Sequence, residues 1–183
     1  MQRRKLLRAL PALAAAPAAA QSGNWTNPFA RNWRDSFLKH WQVTKDYTLA
    51  ICDAMPADAF DFRATPAQRT FAEQLVHLGG ANAAYMRAFE KKAAPPPPKE
   101  LTKDSVRAWM VASFDYVAGV LNLLSENDLI RTDLKISTRH KPHSGTDLFM
   151  RAYMHTAHHR GQVITYLRMK GITPPTWAFE PTA

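Results

Sequence analysis

Three imidazoles fall within five residues in the run His155-Thr156-Ala157-His158-His159-Arg160-Gly161-Gln162. The apolar spacing around them predicts a helix. At about 100° per residue, His155 and His159, four apart, share a face one turn apart. Two neutral imidazoles presented in that way can chelate one divalent metal ion, as both histidines of H-E-x-x-H do. His158 is three from His155 and could in principle replace His159. The i,i+4 vectors diverge by only about 40°, against about 60° for i,i+3, which favours His155 and His159 and leaves His158 as a neighbour supporting the site.

A third ligand must come from elsewhere, and His77 is the best candidate. It stands mid-helix in Phe71-Ala72-Glu73-Gln74-Leu75-Val76-His77-Leu78, where an inward, neutral imidazole needs a hydrogen bond or a metal. His140 and His143 sit in a polar connection and His40 on the exposed-looking side of the first helix, so these read as solvated. Glu73 lies four before His77 on the same face, where it could serve as a general base or orient a ligand histidine; the plainer reading is a solvated glutamate near a helix start. Gln162 and Tyr166 share the metal-facing side of the last helix and are expected to line the pocket. Arg160 could hold an anionic substrate, with a surface salt bridge as the default. Cys52, the single cysteine, has a buried-helix context and no basic neighbour to activate it, which predicts core packing. A thiolate-rich metal site and an internal disulfide are both excluded by that count.

The elements that must position these residues are four long helices with no convincing strand between them. The first runs from about Pro28 to Met55, opened by Asn27-Pro28 and ended by Pro56. Trp33, Phe37, Trp41, Thr44, Thr48, Ile51 and Cys52 follow three-four spacing along it. The second starts near Pro66 or Thr70 and is stopped by Pro95 to Pro98, a stiff extended tether. The third opens at Thr102 and buries Val106, Trp109, Met110, Phe114, Val117, Val120, Leu121 and Leu124. Residues 127–143 read as a long connection, its Leu134-Lys135-Ile136 alternation too short for a strand. The fourth begins around Ser144 to Thr146 and stops at Gly171 before Pro174-Pro175. This predicts an all-α four-helix bundle with one long crossover, an architecture that builds metal sites from inward side chains on facing helices. No Glu-x-x-His repeat is present, which disfavours a ferritin-like di-metal centre. Thr156 stands where a zincin would place its general-base glutamate.

The first twenty residues read as a cleavable export signal. Arg3, Arg4 and Lys5 precede a weakly apolar stretch, and Ala18-Ala19-Ala20 matches a small-residue cleavage pattern, by the Sec route or a partial twin-arginine one. The expectation is therefore a signal peptide at 1–20 and one bundle domain at 21–183, periplasmic or secreted, or cytoplasmic if no signal is there. Removing Arg3, Arg4, Lys5 and Arg8 lowers the formal charge from +9 to +5 and leaves 163 of the 183 residues, enough for one domain with a core. The remaining positive charge is scattered, with no basic-aromatic cluster, so nucleic-acid binding has little support. No segment is long and apolar enough for a stable membrane span.

These residues resemble the DinB/YfiT-like metalloproteins over nearly the whole mature chain, from about Phe29 to Phe179. His77 in Glu73-Gln74-Leu75-Val76-His77 matches that family's first ligand, and His155 and His159 match its H-x-x-x-H pair. Val163-Ile164-Thr165-Tyr166-Leu167-Arg168 through Gly171 and Pro174-Pro175 looks like its ending. The resemblance implies an up-down-down-up bundle with one metal on three histidines. It also implies a kinship with thiol-dependent S-transferases and a maleylpyruvate isomerase that use cytosolic thiols, from which an exported chain would depart. Dimers are common among such relatives, so a homodimer is open to this chain, though nothing in the sequence specifies an interface.

Three neutral imidazoles leave a divalent ion's charge uncompensated and at least one position open, the arrangement of catalytic sites. Nitrogen-only ligation suits Zn first, with Ni, Co, Fe and Cu compatible. The expected function is a metal-dependent hydrolase or transferase using metal-activated water or thiolate on an unidentified small-molecule substrate. The alternative is a non-catalytic periplasmic bundle with a structural or sequestered ion.

Overall fold

The computed structural model describes residues 25–177, so the proposed signal at 1–20 lies outside the described residues. Helix α1 (Pro28–Ala54) opens where expected: the Asn27 side chain accepts from the Phe29 and Ala30 amides, and Pro28 takes the first helical position, where its missing N–H costs nothing. Its buried stripe is Phe37, Trp41, Thr44, Thr48, Ile51 and Cys52. Trp33, half-buried, stacks on Phe37 with ring centroids 5.5 Å apart. After a 3-10 turn at Ala57–Ala59, α2 (Phe71–Arg87) starts from Thr70 with a complete capping box to Glu73. Thr102 caps α3 (Lys103–Leu123).

The connection after α3 holds more structure than its charged sequence predicts. A five-residue helix, α4 (Glu126–Ile130), is nucleated by a second capping box between Ser125 and Asp128. One isolated antiparallel bridge joins Leu134 to His143, and there is no strand among the described residues. Helix α5 (Gly145–Met169) is capped by Ser144. It ends in a Schellman motif, with the Gly171 amide on the Arg168 carbonyl at 2.9 Å and the Ile172 amide on Leu167 at 2.9 Å. Gly171 adopts φ +72 there, a region that costs glycine nothing.

Pairings of side chains fix the helix directions. Early α1 meets late α3 (Arg34 with Asn122) while late α1 meets early α3 (Asp53 with Arg107), so these two run antiparallel. Trp33 and Phe37 meet Phe149, and Arg160 lies over Tyr47, so α1 and α5 run parallel. Early α3 meets early α2 through Trp109 and Val76, making that pair parallel. Gln74 with Gln162 and Asn82 with Thr156 make α2 and α5 antiparallel. The result is an up-down-down-up bundle with α1 and α2 on one diagonal. Parallel neighbours α2 and α3 need a connection running the bundle's length. The proline tether supplies it, at about 3.1 Å per residue.

The core is continuous from Trp41 and Phe114 through Leu75, Leu78 and Met110 to Phe149 and Leu167, all almost without solvent exposure. Each such side chain contributes about 1.5–3 kcal/mol on burial. Trp41 also satisfies its indole N–H on the Phe114 carbonyl at 3.0 Å. Gly79 faces Trp109 so closely that a Cβ there would run into the indole, and this contact sets the α2–α3 spacing beside the histidines. No helix among the described residues is long and apolar enough to cross a membrane.

Candidate metal centre

Helices α2 and α5 bring His77, His155 and His159 together between them. One nitrogen from each ring lies within 4.8 Å of the others, the one such cluster among the described residues. Ring centroids stand 5.1 Å apart for His77–His155, 4.5 Å for His77–His159 and 4.3 Å for His155–His159. The i,i+4 spacing on α5 supplies two rings from one face, and the antiparallel α2 supplies the third. The three histidines are therefore positioned to hold a metal ion.

The protonation state fits that use. Burial, with the neighbouring imidazoles next, pushes His155 down to about 4 and His159 down to about 3. Burial, aided by the Arg69 charge, also lowers His77. All three rings are neutral near pH 7 and carry a lone pair for a cation. Nδ1 of His155 is buried with no hydrogen-bond partner. A buried imidazole nitrogen without a partner is costly, and three neutral nitrogen donors converge here, so the residues present fit a divalent ion held by nitrogen.

A chain of amides leads away from the cluster. Nδ1 of His159 lies 2.9 Å from Oε1 of Gln74, an acceptor-only atom, so the ring donates there and leaves Nε2 with its lone pair. Gln74 in turn donates to Oε1 of Gln162 at 2.7 Å, and Gln162 Nε2 meets His158 Nε2 at 2.8 Å. His158 itself is exposed and outside the triad. The sequence reading missed Gln74, although it lies one turn before His77 on the same side of α2 and could have been found by the spacing that singled out Glu73.

Other expected site residues hold different positions. Glu73 does face the cleft, but its Oε2 accepts from the Thr70 amide at 2.7 Å and lies 3.9 Å from Arg63, and it bonds no ligand histidine. The backbone hydrogen bond from Thr70 lowers its pKa, which makes it a weaker base; its first task is to cap α2. Tyr166 does not line the cleft. It is buried, and its hydroxyl donates to the Arg69 carbonyl at 2.8 Å, pinning the segment before α2. Arg160 is neither a surface ion pair nor in the cleft: it is 3% exposed and lies over Trp177 at 4.4 Å and Tyr47 at 5.1 Å, a desolvated cation against aromatic faces. His143, expected in solvent, is half-buried and pairs through Nδ1 with Asp147 at 2.7 Å, far along α5 from the triad. His40 is exposed and His140 bonds Ser137, both away from the centre. Cys52 is fully buried and its thiol is pushed up to about 12, mainly by burial, which leaves it inert. Thr156 is buried and turns its hydroxyl to Oδ1 of Asn82 at 3.2 Å, so it offers no base to the cluster.

Of the triad, His77 lines a cleft of about 980 Å³ that is also walled by Arg63, residues 66–69, Glu73, Gln74 and Gln162.

Comparison with known proteins agrees with this architecture. A DinB-like protein from Bacillus cereus ATCC 10987 superposes with a TM-score of 0.64 at 18% identity, covering 78% of this chain and 95% of its own. A DinB-like protein from Bacillus subtilis gives 0.63 at 15% identity, over 78% of this chain and 96% of its own. At those identities the likeness is one of fold. None of the curated proteins matches the sequence. The sequence model described as "DinB family" matches residues 25–181, nearly the whole chain beyond the N-terminal stretch, so this protein belongs to the DinB family.

Proposed function

We propose that this protein is a metal-dependent enzyme of the hydrolase or transferase type, acting on a small molecule in the cleft beside His77. The observation that carries the reading is the set of three convergent, neutral imidazoles with no carboxylate among them, one of which, His77, lines an open cleft. Held by His77, His155 and His159, a divalent ion such as zinc would supply Lewis-acid activation of a water or a thiolate.

The chain's own contributions are orientation and protonation. Gln74 accepts a hydrogen bond from Nδ1–H of His159 and holds that ring in one tautomer and one plane. Gln162 keeps Gln74 in place and joins it to the exposed His158. Tyr166 and the Thr70–Glu73 capping box hold the cleft wall against the start of α2. Catalytic zinc sites take three protein ligands and keep an open position, and nickel, cobalt, iron and copper accept the same donors. Delivery to the periplasm would follow from the basic, alanine-rich N-terminus.

The core argues against an ion needed only for folding. Helices α1, α2, α3 and α5 bury a continuous apolar interior that the histidines border and do not complete. Chelator-treated protein is therefore expected to keep its helical circular dichroism and a cooperative melt, and to lose turnover of ester, amide and thiol-transfer substrates that zinc restores. Loss of the helical signal on chelation would instead assign the ion a structural role.

A further inference from the structure

We propose that the cleft beside the three histidines takes a small molecule bearing an oxyanion, a carboxylate or phosphate-type group, seated on Arg69 and Arg63. The identity of the reacting end rests on the metal reading above, whereas the seat for the anion depends on the two arginines.

Neutral imidazoles contribute no charge, so a divalent ion there keeps its full charge. Arg63 and Arg69 add two guanidinium groups to the same cleft, and Glu73 is the one acid on its wall. That carboxylate already accepts from the Thr70 amide and faces Arg63. Arg69 makes no ion pair among the described residues. It lines the same cleft wall as His77, the ligand histidine nearest the opening. A cleft with this surplus attracts anions and repels cations.

The backbone that carries Arg69 is tied down on both sides. Its carbonyl accepts from Tyr166 at 2.8 Å, and Thr70 beside it forms the capping box. Amides of Phe71 and Ala72 bond back to the Phe62 and Phe60 carbonyls at 2.8 and 2.9 Å. An arginine fork on such a support matches a planar or tetrahedral oxyanion by two parallel N–H···O bonds. Val76 and Leu101, also on the cleft wall, offer an apolar surface to the rest of the molecule.

Calorimetric titration at low ionic strength tests the assignment, using the zinc-loaded full chain with succinate and phenylphosphonate as probes and succinamide and benzyl alcohol as neutral counterparts. At least one dianion should bind and neither neutral compound should. The double variant Arg63→Gln/Arg69→Gln should weaken the dianion at least tenfold while retaining the parent's zinc stoichiometry. Which probe binds tells the carboxylate from the phosphate type. Equal dianion affinity in parent and double variant, or no dianion binding by the zinc-loaded chain, overturns the inference and leaves the metal reading intact. Should zinc not load, the metal reading falls, and the same titration of the metal-free chain decides: arginine-dependent dianion binding sustains the anion seat, and its absence removes it.

Discussion

At the scale of single residues, the centre depends on keeping imidazoles neutral and correctly turned. An ordinary histidine titrates near 6.5, whereas His155 is held at about 4 and His159 at about 3 in the fold. Between those values and 6.5 the unfolded chain binds more protons than the native one, so stability rises with pH across that window and is lost as pH falls through it. Urea melts of the metal-free protein should give lower midpoints at pH 4.5 than at pH 7, and a His155→Leu/His159→Leu variant should show a smaller difference, the remainder belonging to His77 and the lowered carboxylates. An unchanged pH slope in the variant would contradict the assignment. Gln74 makes a second residue-scale prediction: Gln74→Leu removes the acceptor for His159 Nδ1 and should weaken zinc binding about 10- to 100-fold, as for other groups that orient metal ligands. Competition with a colorimetric chelator measures this. His77, His155 and His159 were legible from spacing and from the family resemblance. The interactions of Glu73, Tyr166 and Arg160 were not, because a helix wheel gives the side a residue faces but not the backbone segment that packs there.

At the scale of elements, the site is as accurate as the α2–α5 pairing and the start of α2. Thr70 accepts the Glu73 amide at 3.1 Å and Glu73 returns the bond to Thr70. Thr70→Ala should cost about 1 kcal/mol of unfolding free energy in a denaturant titration. Gly79→Ala drives a methyl into the Trp109 indole and should cost about 1–3 kcal/mol by overpacking, with weaker zinc binding because His77 lies two residues away. Neutral stability in Gly79→Ala would show that α3 can yield. The long helices and their caps could be read from Asn27-Pro28, Thr102, Ser144 and Gly171, since each end carries its own local chemistry. The short α4 could not, because its five residues have no apolar period and depend on Leu129 docking into the core.

At the scale of the whole molecule, the bundle builds its interior from four helices and leaves a polar cleft beside the α2–α5 pairing. The up-down-down-up order follows from the proline tether, which carries the chain along the bundle between parallel neighbours. At the histidines' level the apolar interior gives way to imidazole and amide, with Gln74 and Asn82 buried beside the rings. That arrangement lets an ion enter a fold already formed. The most direct test is metal analysis of tag-free protein, parent and single His77→Ala, His155→Ala and His159→Ala variants, purified in parallel and reconstituted with zinc. The account predicts one zinc per parent chain and at least a hundredfold weaker binding in every variant, with helical content unchanged. One tightly bound zinc retained in all three variants would contradict it.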